Sequence, residues 1–115
     1  MRKQKLYFED IINAMDKIEK YIKNLDKDSF TDNEMVVDAV LRNLEIIGEA
    51  AGNISDDIKN KYSNIPWRRM IGLRNIVIHD YFGVDLNIIW EIIKVNLPET
   101  KPLINKVMDN EYNNE

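Results

Sequence analysis

Apolar residues recur along this chain at the spacing expected of amphipathic helices. Near the start, the apolar positions are separated by four, three, four and three residues: Ile11, Met15, Ile18, Ile22 and Leu25. Positions at this spacing lie on one face of a helix. The polar stretch 26–30 then interrupts the stripe and predicts a loop. No stretch alternates apolar and polar residues as a half-buried strand does, so the pattern predicts an all-α fold.

Helix starts are marked by residues that commonly cap or open helices. In chain order they are Thr31 (with Glu34 in a capping box), Ser55, Pro66, Asp85, and the pair Pro98 and Pro102. The helix that opens at Pro66 is expected to run to about Tyr81, with Gly83 as its C-terminal cap. Helices joined by short loops favour an antiparallel bundle of four or five helices. We therefore predict a single domain over residues 1–108, followed by a polar tail, 109–115, that frays.

Composition narrows the chemistry that such a domain can perform. The chain has 115 residues, no cysteine and a single histidine. Neither a disulfide framework nor a thiolate metal site is available, and a histidine metal site would need several chains, so we predict no metal and no other cofactor. No apolar run approaches the roughly 20 residues that span a bilayer. The basic start of the chain leads into an amphipathic helix and not into an apolar signal core, so a cytoplasmic protein without membrane contact is expected.

The distribution of charge is more informative than the net charge of −4. No acidic residue occurs between Asp57 and Asp80, and this window holds five basic residues: Lys59, Lys61, Arg68, Arg69 and Arg74. Local potential steers a polyanion to its site, so the window favours nucleic-acid binding despite the acidic remainder of the chain. Arg68 and Arg69 are candidate RNA contacts on this ground. The alternative is that they belong to a solvated basic face.

The segment with the clearest chemistry is 74–81, which reads Arg-Asn-Ile-Val-Ile-His-Asp-Tyr. Arginine binds phosphate as a bidentate fork, and histidine transfers protons near neutral pH. On an ideal helix Arg74 and Tyr81 are nearly aligned, whereas Arg74 and His79 are about 140° apart. Asn75 and His79 are surface neighbours, so Asn75 is placed to orient the imidazole or to contact the substrate. Arg74, His79 and Asn75 are therefore the candidate catalytic residues.

A single histidine is too few for metal-independent cleavage of RNA. The reaction needs a base for the 2′-hydroxyl and an acid for the 5′-oxygen, and one imidazole cannot hold both protonation states in one step. A two-fold dimer that brings two motif helices together would place two copies of His79 and Arg74 in one cleft. We therefore predict a homodimer.

The spacing of Arg74, His79 and Tyr81 resembles the signature of the HEPN superfamily, and more narrowly that of the HepT-like toxins of HepT–MntA toxin–antitoxin pairs. Further segments agree with that family in the same order, namely 42–51, 65–68, 81–85, 89–90 and 97–98. The resemblance implies a helical bundle that forms a two-fold dimer with a composite active site. It implies an endoribonuclease in which Arg74 stabilises the pentacoordinate phosphorane and His79 is the acid–base group.

The same resemblance implies a partner and a modification. In these pairs the antitoxin is an MntA-like minimal nucleotidyltransferase that transfers AMP to the tyrosine of the motif, here Tyr81. An added adenylate would bring bulk and negative charge beside Arg74, in the place of the substrate phosphate.

Each of these residues also has a structural alternative. Arg74 could pair with Glu45 or Glu49, His79 could interact with the last carbonyls of a helix, and Tyr81 could be a packing aromatic. For the whole chain, one alternative to an RNA-cleaving toxin is a non-catalytic HEPN binding module that serves a nucleotidyltransferase as partner and modification target. The other is a structural helical dimer with no role in nucleic-acid chemistry.

Overall fold

The computed structural model describes residues 3–79 and 84–112, with only the backbone at positions 77–79. Within these residues the chain is helical and contains no strand. The α-helices are α1 (Gln4–Ile22), α2 (Lys27–Thr31), α3 (Glu34–Gly52), α4 (Asp56–Lys61), α5 (Trp67–His79), α6 (Leu86–Glu91) and α7 (Leu97–Tyr112), and one π-helical turn (Ile92–Asn96) joins α6 to α7. The predicted all-α fold is confirmed. None of the described helices is long and apolar enough to cross a membrane.

α1 packs antiparallel to α3. The side chain of Gln4, at the start of α1, accepts a hydrogen bond from the backbone N–H of Ser55 at 2.7 Å. Its amide group also donates to the carbonyl of Asn53 at 3.4 Å. Both partners lie just past the end of α3, so the two helices run in opposite directions.

α7 packs antiparallel to α1 on another side of the bundle. Near the start of α7, the ammonium group of Lys101 lies 2.6 Å from Asp16 and 3.1 Å from Glu19, in the second half of α1. Hydrogen bonding to Asp16 is the main cause that raises the pKa of Lys101. At the other end of α7, the ring of Tyr112 lies 6.0 Å from that of Phe8. The long helical runs α1, α3, α5 and α6–α7 thus form the predicted bundle.

The core is built from the apolar stripes of these long runs. The largest side chains that are less than 2% exposed are Phe8, Phe30, Ile11, Met15, Ile18, Leu44, Ile47, Ile89, Ile93, Ile104, Val40 and Val107. Two aromatic pairs close the two ends of the core. Phe8 packs edge-on against Trp67 at 6.1 Å between ring centroids, and Phe30 packs against Trp90 at 5.2 Å. Fully burying one such apolar side chain stabilises a fold by roughly 1.5–3 kcal/mol.

The loop predicted for residues 26–30 is wrong. Asp26 and Ser29 form a capping box, in which each side chain bonds to the backbone of the other, and this box starts α2. The short helix is kept in place because Phe30 is fully buried against Trp90. This long-range contact overrides the polar composition of the stretch.

The capping box predicted for Thr31 and Glu34 is wrong because Thr31 belongs to α2. Thr31 is the last residue of α2, where its hydroxyl donates to the carbonyl of Lys27 at 2.8 Å. The N-cap of α3 is Asn33, whose side chain accepts a hydrogen bond from the N–H of Val36 at 3.1 Å. The predicted helix exists, and its cap lies two residues later.

Other predicted boundaries agree with the structure. Ser55 and Asp85 cap α4 and α6, each accepting a hydrogen bond from a backbone N–H in the first helical turn. α5 begins directly after Pro66, as predicted. The predicted end of this helix near Tyr81 and its cap at Gly83 lie outside the described residues.

The start predicted for the last helix near Pro98 agrees with the structure because α7 begins at Leu97, whereas Pro102 lies inside α7 and marks no boundary. The helix that begins with α6 continues through the π-helical turn into α7, which includes both prolines. In that turn the N–H of Leu97 bonds to the carbonyl of Ile92, five residues earlier. A proline ring normally clashes with the carbonyl four residues before it, and the wider π turn relieves that clash at Pro98.

The end of α7 is attached to the helix α4. The carboxylate of Glu111 accepts hydrogen bonds from Lys61 at 2.8 Å and from the hydroxyl of Tyr62 at 2.5 Å. Both bonds lower the pKa of Glu111. α7 therefore continues through Tyr112, whereas the sequence predicts a frayed tail from residue 109. The extent of the domain, 1–108, stays a prediction.

Candidate active site

The first residue of the candidate motif lies where α5 approaches α3 most tightly. A Cβ atom placed on Gly48 would lie 2.6 Å from the backbone nitrogen of Arg74 and 2.9 Å from its Cβ. Ordinary van der Waals contact begins at about 3.4 Å, so only glycine fits here without moving a helix. Gly48 thus fixes the distance between α3 and the backbone of Arg74.

The next residue of α3 holds the Arg74 side chain. Glu49 Oε2 lies 3.0 Å from Arg74 Nε, and the two side chains are 56% and 52% exposed. Of the two carboxylates that the sequence offers as partners, Arg74 therefore pairs with Glu49. Glu45 lies one turn earlier and pairs with Arg42 at 3.7 Å. An ion pair this exposed contributes at most about 1 kcal/mol to stability, so its main effect is on the direction of the guanidinium.

Asn75 and His79 occupy a different face of α5. Positions 68, 72, 75 and 79 follow at spacings of four, three and four, so they form one stripe along the helix, here called the outward stripe. The side chains of Arg68 and Asn75 are exposed, while Met70 and Leu73 on the opposite face are buried. Position 79, the last described position of α5, falls on this stripe by helical spacing. Arg74 lies about 140° away around the helix, beside α3.

Of the remaining candidate residues, Arg68 and Arg69 are described by the structure and Tyr81 is not. Arg68 and Arg69 are exposed in the first turn of α5 and form no ion pair with the part of the chain that the structure describes. Lys61, from the same basic window, is bound to Glu111. Tyr81 lies outside the described residues, so its predicted alignment with Arg74 stays a prediction.

Two surface pockets lie beside α3 and α5, the helices that carry Glu49 and Arg74. A polar cleft of about 230 Å³ between α1 and α3 adjoins Glu49 and is lined also by Tyr7, Asp10, Arg42, Glu45 and Asn53. An apolar groove of about 470 Å³ lies between α5 and the π turn with α7, with Met70, Leu73, Ile76, Ile92 and Leu97 in its walls. Among the described residues, no group of acidic or histidine side chains is arranged to hold a metal ion.

Gly48 and Glu49 were not singled out as site residues by the sequence pattern. A glycine inside a helical pattern costs about 1 kcal/mol relative to alanine, which is a signal of close packing. That signal does not say which helix approaches. The sequence offers Glu45 and Glu49 as partners of Arg74, but it does not decide between them, because Arg74 lies 25 positions after Glu49.

Comparison with known proteins identifies the family. Residues 11–107 match the family model described as Ribonuclease HepT-like. This chain belongs to the HepT-like ribonuclease family. The resemblance seen in the motif and its flanking segments is therefore confirmed, and the prediction of a ribonuclease is confirmed at the level of the family.

Individual relatives agree with this assignment. A Methanocaldococcus jannaschii protein, named as a candidate RNase, is 42% identical over 100 residues, which cover 87% of this chain and 92% of the relative. A Thermococcus cleftensis protein named as a probable ribonuclease HepT is 40% identical over 106 residues, covering 92% and 96%. A further candidate RNase, from Caldanaerobacter subterraneus subsp. tengcongensis, is 32% identical over 111 residues, covering 96% and 99%. No solved structure matches the chain.

Proposed function

We propose that this HepT-like protein is the toxin of a type VII-like toxin–antitoxin pair and acts as a metal-independent endoribonuclease. The observation that carries the proposal is the composition of α5 in a chain of this family. One helix presents exposed Arg74 and Asn75, and His79 is its last described position. These residue types supply phosphate binding and proton transfer.

The proposed reaction is an attack of the RNA 2′-hydroxyl on the adjacent phosphorus. A neutral imidazole takes the 2′-hydroxyl proton while the bond from the 2′-oxygen to phosphorus forms. The bond from phosphorus to the 5′-oxygen breaks, and an imidazolium gives its proton to that oxygen. The products are a 2′,3′-cyclic phosphate and a 5′-hydroxyl, and no water or metal ion enters this step. Arg74 stabilises the charge that develops on the phosphorane.

The position of these residues on α5 supports a site composed of two chains. Within one chain, the side of α5 that carries Arg74 faces α3, whereas Asn75 on the outward stripe is exposed to solvent. A second copy of α5 across a two-fold axis would bring its own Arg74 and His79 to the same phosphate. Such a dimer would also provide the second imidazole that the reaction needs.

Arg68 and Arg69 would extend the site along the RNA backbone. Both are exposed one to two turns before Arg74 and carry no counter-charge from the described residues. Phosphate contacts of this kind position a substrate without reading its sequence. Their loss should weaken RNA binding and reduce its dependence on salt.

Tyr81 would be the site at which the toxin is silenced. It follows the end of the described part of α5 by two residues. Transfer of AMP from ATP to its hydroxyl, with release of pyrophosphate, would add a phosphodiester and a nucleoside close to the proposed substrate phosphate. The enzyme proposed for this step is an MntA-like minimal nucleotidyltransferase, which would be the antitoxin.

The decisive experiment is cleavage of end-labelled RNA by the purified protein. We expect products with 2′,3′-cyclic phosphate and 5′-hydroxyl ends, and no cleavage of a 2′-O-methyl RNA of the same sequence. Arg74→Ala and His79→Ala should each abolish cleavage, whereas the matched variant Arg42→Ala, on α3, should keep it. Light scattering at micromolar concentration should show a dimer for all of these variants.

Two results would contradict the proposal. Cleavage by the His79→Ala protein at the wild-type rate would show that another group carries the chemistry. Binding of RNA without any cleavage would instead favour a non-catalytic HEPN binding module as the function of this chain.

A further inference from the structure

We propose that Glu49 is a positioning residue of the active site, which holds the Arg74 guanidinium in the direction needed to bind the reacting phosphate. This inference rests on the proposed function, because it gives Glu49 a role only if Arg74 binds RNA. The observation behind it is the contact of Glu49 Oε2 with Arg74 Nε at 3.0 Å.

The backbone under this contact lies directly against α3. Gly48 lies against the backbone nitrogen and Cβ of Arg74, and a single added carbon there would approach to 2.6 Å. Glu49 follows Gly48 directly on the same helix. Gly48 therefore sets the position of the Arg74 backbone, and Glu49 sets the direction of its guanidinium.

The atom that Glu49 contacts determines what Arg74 has left to offer. A guanidinium presents one pair of N–H groups that includes Nε and another pair on the two terminal nitrogens. A carboxylate at Nε leaves the terminal pair to bind a phosphate as a fork. The Arg74 side chain is 52% exposed, so solvent and substrate reach it.

The negative charge of Glu49 weakens RNA binding, which opposes the benefit of orienting Arg74. A carboxylate next to the phosphate site repels RNA in the bound state and in the transition state alike. If orientation is the main role, the benefit appears in the chemical step and the repulsion appears in binding. The two effects therefore separate into kcat and KM.

A purely structural role predicts a different result. Both side chains are about half exposed, and exposed ion pairs contribute little to stability. Loss of the pair should leave the fold and the dimer intact. A role as a brake, in which Glu49 competes with phosphate for Arg74, predicts faster cleavage when Glu49 is removed.

The test compares Glu49→Ala and Glu49→Gln with Glu45→Ala as matched control, by steady-state RNA cleavage, light scattering and thermal unfolding. Glu45 lies one turn earlier on α3 and pairs with Arg42, not with Arg74. Glu49→Ala should lower kcat about 10- to 100-fold, the effect of a misplaced catalytic group, with KM unchanged or lower. Glu49→Gln keeps the size of the side chain but removes the charge that pairs with Arg74, so it should lower kcat as Glu49→Ala does. Glu45→Ala should keep the wild-type kcat.

The outcomes distinguish this inference from the proposed function. If Arg74→Ala abolishes cleavage while Glu49→Ala keeps or raises kcat, the positioning role is wrong and the proposed function stands. If Glu49→Gln keeps the wild-type kcat, the charge of Glu49 does not orient Arg74 and the inference is also wrong. If Arg74→Ala cleaves RNA like the wild type, the proposed site itself fails.

Discussion

Substituting Gly48 by alanine tests whether the contact between α3 and α5 is as close as the structure shows. The new methyl carbon would lie 2.6 Å from the backbone nitrogen of Arg74. The atom it meets is backbone, so no side-chain rotation relieves the overlap. α5 must move away by about 0.8 Å to restore ordinary contact, or the two helices must deform.

The expected cost follows from two opposing effects. Overpacking of this kind costs about 1–3 kcal/mol. Alanine favours a helix interior over glycine by up to about 1 kcal/mol, which offsets part of that cost. Gly72, inside α5, is the matched control, because a Cβ atom there meets nothing within 4 Å. Gly72→Ala should therefore stabilise the protein by up to about 1 kcal/mol.

The assay is urea unfolding followed by circular dichroism, at one protein concentration for all variants because dimerisation would add to apparent stability. Gly48→Ala should unfold at lower urea than the wild type, and Gly72→Ala at equal or higher urea. Gly48→Ala should also lower kcat for RNA, because it shifts Arg74 relative to Glu49. If the two alanine variants were equally stable, the close contact at Gly48 would be wrong.

Three further predictions concern the chemistry, the modification and the dependence of stability on pH. RNA cleavage should persist in EDTA, and its loss, with recovery on adding a divalent cation, would contradict the metal-independent mechanism. Tyr81→Phe should keep most of the RNase activity but gain no AMP (about 329 Da by intact mass) from the nucleotidyltransferase and ATP; equal modification of this variant would place the acceptor elsewhere. The bonds from Lys61 and Tyr62 lower the pKa of Glu111 below its ordinary 4.5, so they stabilise the fold above that pH and this stability is lost as the pH falls through the lowered value. Glu111→Gln should therefore unfold at lower urea than the wild type at pH 7, and the difference should shrink in acid; a constant difference would refute this role.

The helices of this protein were predictable because their signals are local. The spacing of the apolar residues from Ile11 to Ile22 is enough to predict α1. Ser55 and Asp85 predict the starts of α4 and α6, because their short polar side chains cap helices. Helical spacing and N-caps depend on interactions between residues a few positions apart. They predict the structure correctly wherever no contact with a distant part of the chain overrides them.

The predictions that failed depend on contacts between distant residues or on unusual backbone geometry. α2 exists because Phe30 is buried against Trp90, 60 positions later, which the polar composition of 26–30 does not reveal. Pro102 lies inside α7, and the π turn before Leu97 joins α6 to α7 without a loop, which the prolines do not reveal. Both errors moved a boundary and left the bundle unchanged.

In the candidate site too, features set by local spacing were predictable and features set by packing between helices were not. Arg74 and Asn75 are exposed on one helix, as the motif suggests, because their positions follow from helical spacing. The roles of Gly48 and Glu49 depend on how α3 meets α5, and helix packing of this kind is set by many side chains together. The single histidine is the sequence feature that points beyond a single chain, because one imidazole cannot be both base and acid in one step.

The most direct test of the composite site is the activity of mixed dimers. Wild-type and His79→Ala chains are unfolded together in equal amounts, refolded so that they pair at random, and assayed for RNA cleavage per total chain. If both imidazoles act in one cleft, only dimers of two wild-type chains cleave, and activity falls to about a quarter of the wild-type value. If each chain cleaves on its own, activity falls only to about half, and the composite site is wrong.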